Sequence, residues 1–132
     1  MLTMAQELIN VAIVVDDYDK AIRFYIEKLN FELVEDTRIS ESKRWVRVRP
    51  KGPGKMCLLL AKAADTHQSQ FVGNQSGGRV FLFIHTDDFT RDYQQLISND
   101  VKIIREPIDQ PYGTVAVFED LYGNLFDLIG PK

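Results

Sequence analysis

The feature that most narrows the folds open to this chain is that its pattern occurs twice. Val15-Asp16-Asp17-Tyr18 closes an apolar run and opens a stretch of helical periodicity, and Thr86-Asp87-Asp88-Phe89 does the same in the second half. Near the end of each half a Gly-containing turn precedes an apolar strand, Cys57-Leu58-Leu59 in one and Asp127-Leu128-Ile129 in the other. Repetition of order, length and punctuation at this scale marks a duplicated supersecondary unit, not two unrelated pieces.

The unit itself is readable. Leu8 to Val15 is rich in Val and Ile, as expected of a strand buried on both faces. Asp16-Asp17 then supplies a helix cap, and Tyr18, Ala21, Ile22, Tyr25 and Leu29 form one apolar stripe on a helix of about three turns that Asn30 can end. Phe31 to Arg38, Lys43 to Arg49 and Met56 to Lys62 read as three further strands, with Pro50-Lys51-Gly52-Pro53-Gly54 as a turn. In the third strand Val46 and Val48 share one face, and Trp45, Arg47 and Arg49 the other.

In the second half the pattern predicts strands over Arg79 to Thr86, Val101 to Arg105, Gly113 to Phe118 and Asn124 to Ile129. It predicts a helix carrying Phe89, Tyr93, Leu96 and Ile97, and a turn region over Pro107 to Pro111. The expectation is a single α+β domain over residues 1–132, built of two tandem βαβββ modules at about 8–62 and 79–130. Residues 63–78 join them as a polar connection long enough to be a linker or a lid. Each helix must bury its stripe on one face of its sheet, which leaves the other face free. Two such sheets side by side are expected to form a curved mixed sheet, a partial barrel around a cavity with helices outside. Concave surfaces of that kind are the usual small-molecule sites.

Composition removes other classes of function. A net charge of −3 over 132 residues provides no basic excess for nucleic acid. The longest apolar runs are far too short to span a bilayer. The start, Met1 to Glu7, lacks the basic and apolar regions of a signal peptide, and the lone Cys57 excludes an intrachain disulfide. The expected location is the cytoplasm.

Val11-Ala12-Ile13-Val14-Val15-Asp16-Asp17, Ala21-Ile22-Arg23-Phe24-Tyr25 and Leu29-Asn30-Phe31 resemble the opening strand and helix of the glyoxalase / bleomycin-resistance / extradiol-dioxygenase (vicinal oxygen chelate) superfamily. Tyr112-Gly113 through Phe118, Asp120, Gly123-Asn124 and Asp127-Leu128 resemble its closing strand pair. The resemblance implies homodimers and, in the enzymes of the family, a divalent metal held by one residue from each of four strands. Those positions fall here on Asn10, Cys57, Phe81 and Asp127. Only Asp127 is an ordinary hard-metal ligand, whereas a catalytic metal normally takes about three protein ligands. The expectation is therefore no metal and no cofactor.

Candidate ligand-binding residues are Asn10, Trp45, Arg47, Cys57, Phe81, Phe83, His85 and Asp127. Trp45 beside Arg47 makes a platform for a planar or anionic ligand, or an ordinary charged strand face. His85 shares parity with Phe81 and Phe83. It reads as a general base, a hydrogen-bond partner or a strand-end histidine bonding the backbone. Asp127, between apolar neighbours, is either an acid or base of raised pKa or half of a structural ion pair. Asp127 and His85 are the catalytic candidates if there is catalysis, and His67 is a lesser candidate in the 63–78 loop. The resemblance implies a small-molecule-binding protein without the family metal. The alternative is a divalent-metal-dependent lyase, isomerase or dioxygenase acting on a vicinal-oxygen substrate.

Overall fold

A computed structural model describes residues 4–131, so the start of the N-terminal reading, Met1 to Thr3, lies outside the described residues. The elements are β1 (Asn10–Val15), α1 (Tyr18–Arg23) continued by a π turn (Phe24–Lys28), β2 (Glu32–Arg38), β3 (Arg44–Arg49) and β4 (Cys57–Lys62). After α2 (Thr66–Ser69) the order repeats as β5 (Val80–His85), α3 (Phe89–Ser98), β6 (Ile103–Gln110), β7 (Gly113–Glu119) and β8 (Leu125–Gly130).

The strands form two four-stranded mixed sheets, ordered β1-β4-β3-β2 (sheet A) and β5-β8-β7-β6 (sheet B). In each the first strand runs parallel to the last, and the remaining pairs are antiparallel. The sheets stay open and share no strand pair among the described residues. This is the α+β, two-module architecture expected of the repeat.

The repeated Asp-Asp pairs act as caps. The Asp17 carboxylate accepts from the Lys20 amide at 2.8 Å, and that of Asp88 from the Arg91 amide at 3.1 Å, each satisfying an otherwise orphaned helix donor. Both helices end on a residue in the left-handed region, Asn30 (φ 60°) and Asp100 (φ 59°), residue types that tolerate it best after glycine. The first helix changes form midway: Leu29 N–H reaches back to the carbonyl of Phe24, and Phe31 N–H to that of Tyr25. The wider π turn carries Tyr25 inward, fully buried, against Phe31 and Phe126.

One apolar core serves both modules. Ile13, Val15, Val46, Val48, Leu58 and Leu60 line the helix-facing side of sheet A, and Ala116, Phe118, Phe126 and Leu128 that of sheet B. Burying side chains of this size contributes about 1.5–3 kcal/mol each, and residues of both modules share that cluster. A buried carboxylate ties them together. Asp120 Oδ2 accepts from the Tyr25 hydroxyl at 2.7 Å and from Asn124 Nδ2 at 3.0 Å. Its Oδ1 accepts the backbone amides of Tyr122, Gly123 and Asn124 at 2.9–3.0 Å. Five donors replace the water that burial removed.

Three features differ from the sequence reading. β1 is buried on one side only, because it is an edge strand whose other face is the free face of the sheet: Ala12 is exposed and Val14 half-buried. β6 runs on through Pro107 instead of turning there. It is an edge strand with register shifts on either side of Arg105, and a proline without an N–H is tolerated in such a strand. The 63–78 connection packs against the fold. Gln75 lays its amide along the outer edge of β1, accepting from Val14 N–H at 2.9 Å and donating to the Ala12 carbonyl at 3.1 Å. Its own N–H bonds Asn124 Oδ1 at 3.1 Å. Gly73 fits only without a side chain, since a Cβ there would meet the Tyr122 carbonyl oxygen at 2.0 Å.

Candidate functional site

Each sheet has one face packed on helices and one free face, and strand register puts the candidate residues in cross-strand rows on the free faces. In sheet A one row reads Ala12, Leu59, Arg47, Glu35 across β1, β4, β3 and β2. The corresponding row of sheet B reads Phe83, Asp127, Val117, Arg105 across β5, β8, β7 and β6. The duplicated scaffold therefore offers two equivalent rows with opposite charge placement, a cation on β3 in one and a carboxylate on β8 in the other.

In sheet A, Arg47 is anchored. Its Nε donates to Asn10 Oδ1 at 2.8 Å, and its Nη1 lies 3.6 Å from Glu35 Oε1. Glu35 reaches this face because a register shift between Leu33 and Glu35 breaks the alternation of β2. Trp45, two residues along β3 and paired with Thr37, is half-buried on the same face. Ala12 and Ala61 leave the floor between them shallow. An oriented guanidinium, an indole and small neighbours together suit a flat group with an acceptor edge.

In sheet B, Val115 and Val117 are buried at the floor, Phe83 stands 65% exposed, and Asp127 is half-buried between them. Desolvation pushes the Asp127 carboxyl above the ordinary carboxylate range, and the field of Arg105 pulls it partly back. His85 is exposed at the end of β5, two residues from Phe83 and opposite Ile129. His67, in α2, stands edge-on to Phe71 with ring centroids 5.3 Å apart and belongs to neither row.

The four positions implied for a metal do not come together as a ligand set. Asn10 and Cys57 are register partners, but Asn10 already serves Arg47, and Cys57 is buried with its Sγ toward the Lys55 carbonyl. Phe81 sits in the register shift of β5 and offers no donor. Asp127 pairs with Phe83, so its counterpart in sheet A is Leu59, and the counterpart of Cys57 is Leu125. Among the described residues, no group of three or more His, Cys, Asp or Glu side chains is placed to hold a metal ion. The residues present do not fit the family's metal.

An apolar groove of about 170 Å³ runs where the sheets meet, between Val11, Cys57 and Leu58 on one side and Leu82, Phe83 and Phe126 on the other. Its rim bears exposed Met56 and Phe83. Pockets that enclose a drug-sized ligand measure roughly 300–1,000 Å³, so this groove alone is small for one.

Sequence periodicity did not reveal Glu35, Arg105, Leu59 or Gln75 as members of this arrangement. The first two depend on bulges, Leu59 on register, and Gln75 on where the connection docks.

The duplicated βαβββ sheets match the Glyoxalase/Bleomycin resistance protein/Dioxygenase superfamily over residues 8–128, and the chain belongs to it. It is 55% identical over 127 residues to an uncharacterized protein of Shewanella frigidimarina, an alignment covering 96% of this chain and 94% of that one. Among solved structures it is similar to UcmS2, with 33% identity, a TM-score of 0.83, and 96% and 98% of the two chains covered. It is also similar to TnmS3, an antibiotic binding protein from Streptomyces sp. CB03234, with 27% identity, a TM-score of 0.77, and 99% and 100% covered.

Proposed function

We propose that this chain is a small-molecule-binding protein that holds its ligand on the free faces of its two sheets without the family's metal. The observation that carries the reading is the chemistry of the superfamily's metal-bearing positions. Asn10 is committed to Arg47, Phe81 has no donor, Cys57 points to a backbone carbonyl, and among the described residues Asp127 belongs to no group of three or more His, Cys, Asp or Glu side chains that could hold a metal. What the same faces present is recognition chemistry, Trp45 with Arg47 and Phe83 with Asp127, with His85 further along β5, whereas Phe81 packs against the core at the register shift. Similarity to an antibiotic binding protein supports binding over turnover, since a shared fold alone leaves the function open.

The functional form is a homodimer in the cytoplasm. Large apolar side chains are exposed beside the groove, Phe83 at 65%, Ile9 at 52% and Met56 at 45%, and a second copy would cover them and deepen a groove too small by itself. Purification without chelators, then elemental analysis and a thermal-shift screen of metals and metabolites, tests the reading. The expected result is sub-stoichiometric metal and a raised melting temperature with an organic ligand in the presence of EDTA. Stoichiometric Zn, Ni, Mn or Fe, lost on Asp127→Ala, would overturn it.

A further inference from the structure

Every partly or fully buried carboxylate of the described residues other than Asp127 has a named donor. Glu32 pairs with Arg49, Glu35 with Arg47, Glu119 with Lys102, Asp92 with Arg91 and Thr86, and Asp120 has its five hydrogen bonds. Asp127 makes no hydrogen bond or ion pair among the described residues, although it is half-buried and its row offers a cation, Arg105. Arg105 lies two strands away across Val117 and is itself exposed. Partial burial of an unpaired carboxylate costs stability, and the cost is recovered when a donor arrives.

The surroundings specify that donor. Phe83 beside Asp127 and Val117 on its other side are apolar, and Arg105 lies beyond Val117, so an anion beside Phe83 meets the repelling carboxylate first, and among the described residues no group of three or more His, Cys, Asp or Glu side chains is placed there to hold a metal. An ammonium group on an apolar or aromatic body satisfies both features. Its N–H groups make charge-assisted hydrogen bonds to the carboxylate, and its body lies on the exposed Phe83 ring. Building on the metal-free binding reading above, we infer that Asp127 is the specificity residue of sheet B and selects a protonated amine carried on an apolar group. Arg105 is the built-in competitor for that position and weakens the amine's binding by its like charge.

The test uses the intact chain in EDTA at neutral pH, with benzylammonium, benzyl alcohol and benzoate as probes followed by amide chemical-shift titration. Benzylammonium should perturb β5 and β8 around Phe83 and Asp127. Asp127→Asn should weaken it about tenfold, the scale of one charge-assisted hydrogen bond. Arg105→Gln, which removes the competitor without touching the carboxylate, should strengthen it about threefold. Equal affinity for benzoate, no effect of Asp127→Asn, or no benzylammonium response up to about 10 mM, a range generous for a fragment of that size, overturns the inference. If benzyl alcohol then still binds in EDTA, the metal-free reading stands alone. A response only after a divalent ion is added, and lost in Asp127→Asn, overturns both.

Discussion

Replacing Tyr25 by Phe removes a single oxygen from the place where the two modules are joined. The ring keeps its contacts with Phe24, Phe31 and Phe126, so the apolar contribution is unchanged. What disappears is the 2.7 Å bond to Asp120 Oδ2, leaving that oxygen with only the 3.0 Å bond from Asn124 Nδ2 in a buried site. Burial and the adjacent carboxylate hold the Tyr25 phenol well above its ordinary pKa, so it is a donor at every working pH.

A hydrogen bond to a charged group contributes about 1.5–3 kcal/mol, and its loss in a buried site leaves no compensating water. We expect Tyr25→Phe to destabilise the fold by about 2 kcal/mol and to lower Tm by roughly 5–10 °C for a domain of this size. Tyr122→Phe is the control. It removes a 2.6 Å bond to Asp16, which is exposed, and should cost about 0.5–1 kcal/mol because water takes the vacated place. Urea unfolding followed by circular dichroism measures both. If Tyr25→Phe falls within about 0.5 kcal/mol of wild type, or matches Tyr122→Phe, the seam is not the joint described.

Three further expectations concern the edge, the free faces and the assembly. Gln75→Ala should speed hydrogen exchange at the Val14 amide about tenfold, as the loss of one good hydrogen bond predicts, while amides in β7 stay protected; unchanged exchange at Val14 would remove the edge-covering role of Gln75. Asp127 has a raised pKa in the folded state, so the folded chain binds its proton more tightly than the unfolded one. Its contribution to stability falls as pH rises from the ordinary carboxylate value through the raised one, and is flat above. Asp127→Asn should abolish that slope and be neutral or slightly stabilising at pH 7; destabilisation by more than about 1 kcal/mol would show a partner that the geometry lacks. Phe83→Glu should shift light scattering at micromolar concentration from dimer toward monomer, and a wild-type chain that is already monomeric would refute the assembly.

Much of this architecture was legible in the chain because the signals were local and repeated. The Asp17 and Asp88 caps, the strand alternation of β3 and the left-handed stop at Asn30 each follow from a few neighbouring residues. What was not legible depends on register or on edges. Pro107 reads as a turn until β6 is known to be an edge strand, and the pairing of Glu35 with Arg47 follows only from the bulge beside Leu33. The pairing of Asp127 with Phe83 moved its sheet A counterpart from Cys57 to Leu59, two residues along the same face, a shift that alternation cannot detect. The two Gln75 side-chain bonds to β1 span more than 60 positions of sequence, and no local pattern announces them.

Binding of an organic ligand on the free faces without a metal can be read from a single side chain. Trp45 is the only tryptophan and lies on the free face of sheet A, so its emission reads that face directly. The decisive measurement is a titration of EDTA-treated protein with a panel of planar aromatic amines and acids, following Trp45 emission before and after a divalent ion is restored. A saturable response in EDTA, unchanged by the ion and weakened in Arg47→Ala, is expected. A response that appears only with the ion, or none from any member of the panel, would contradict it.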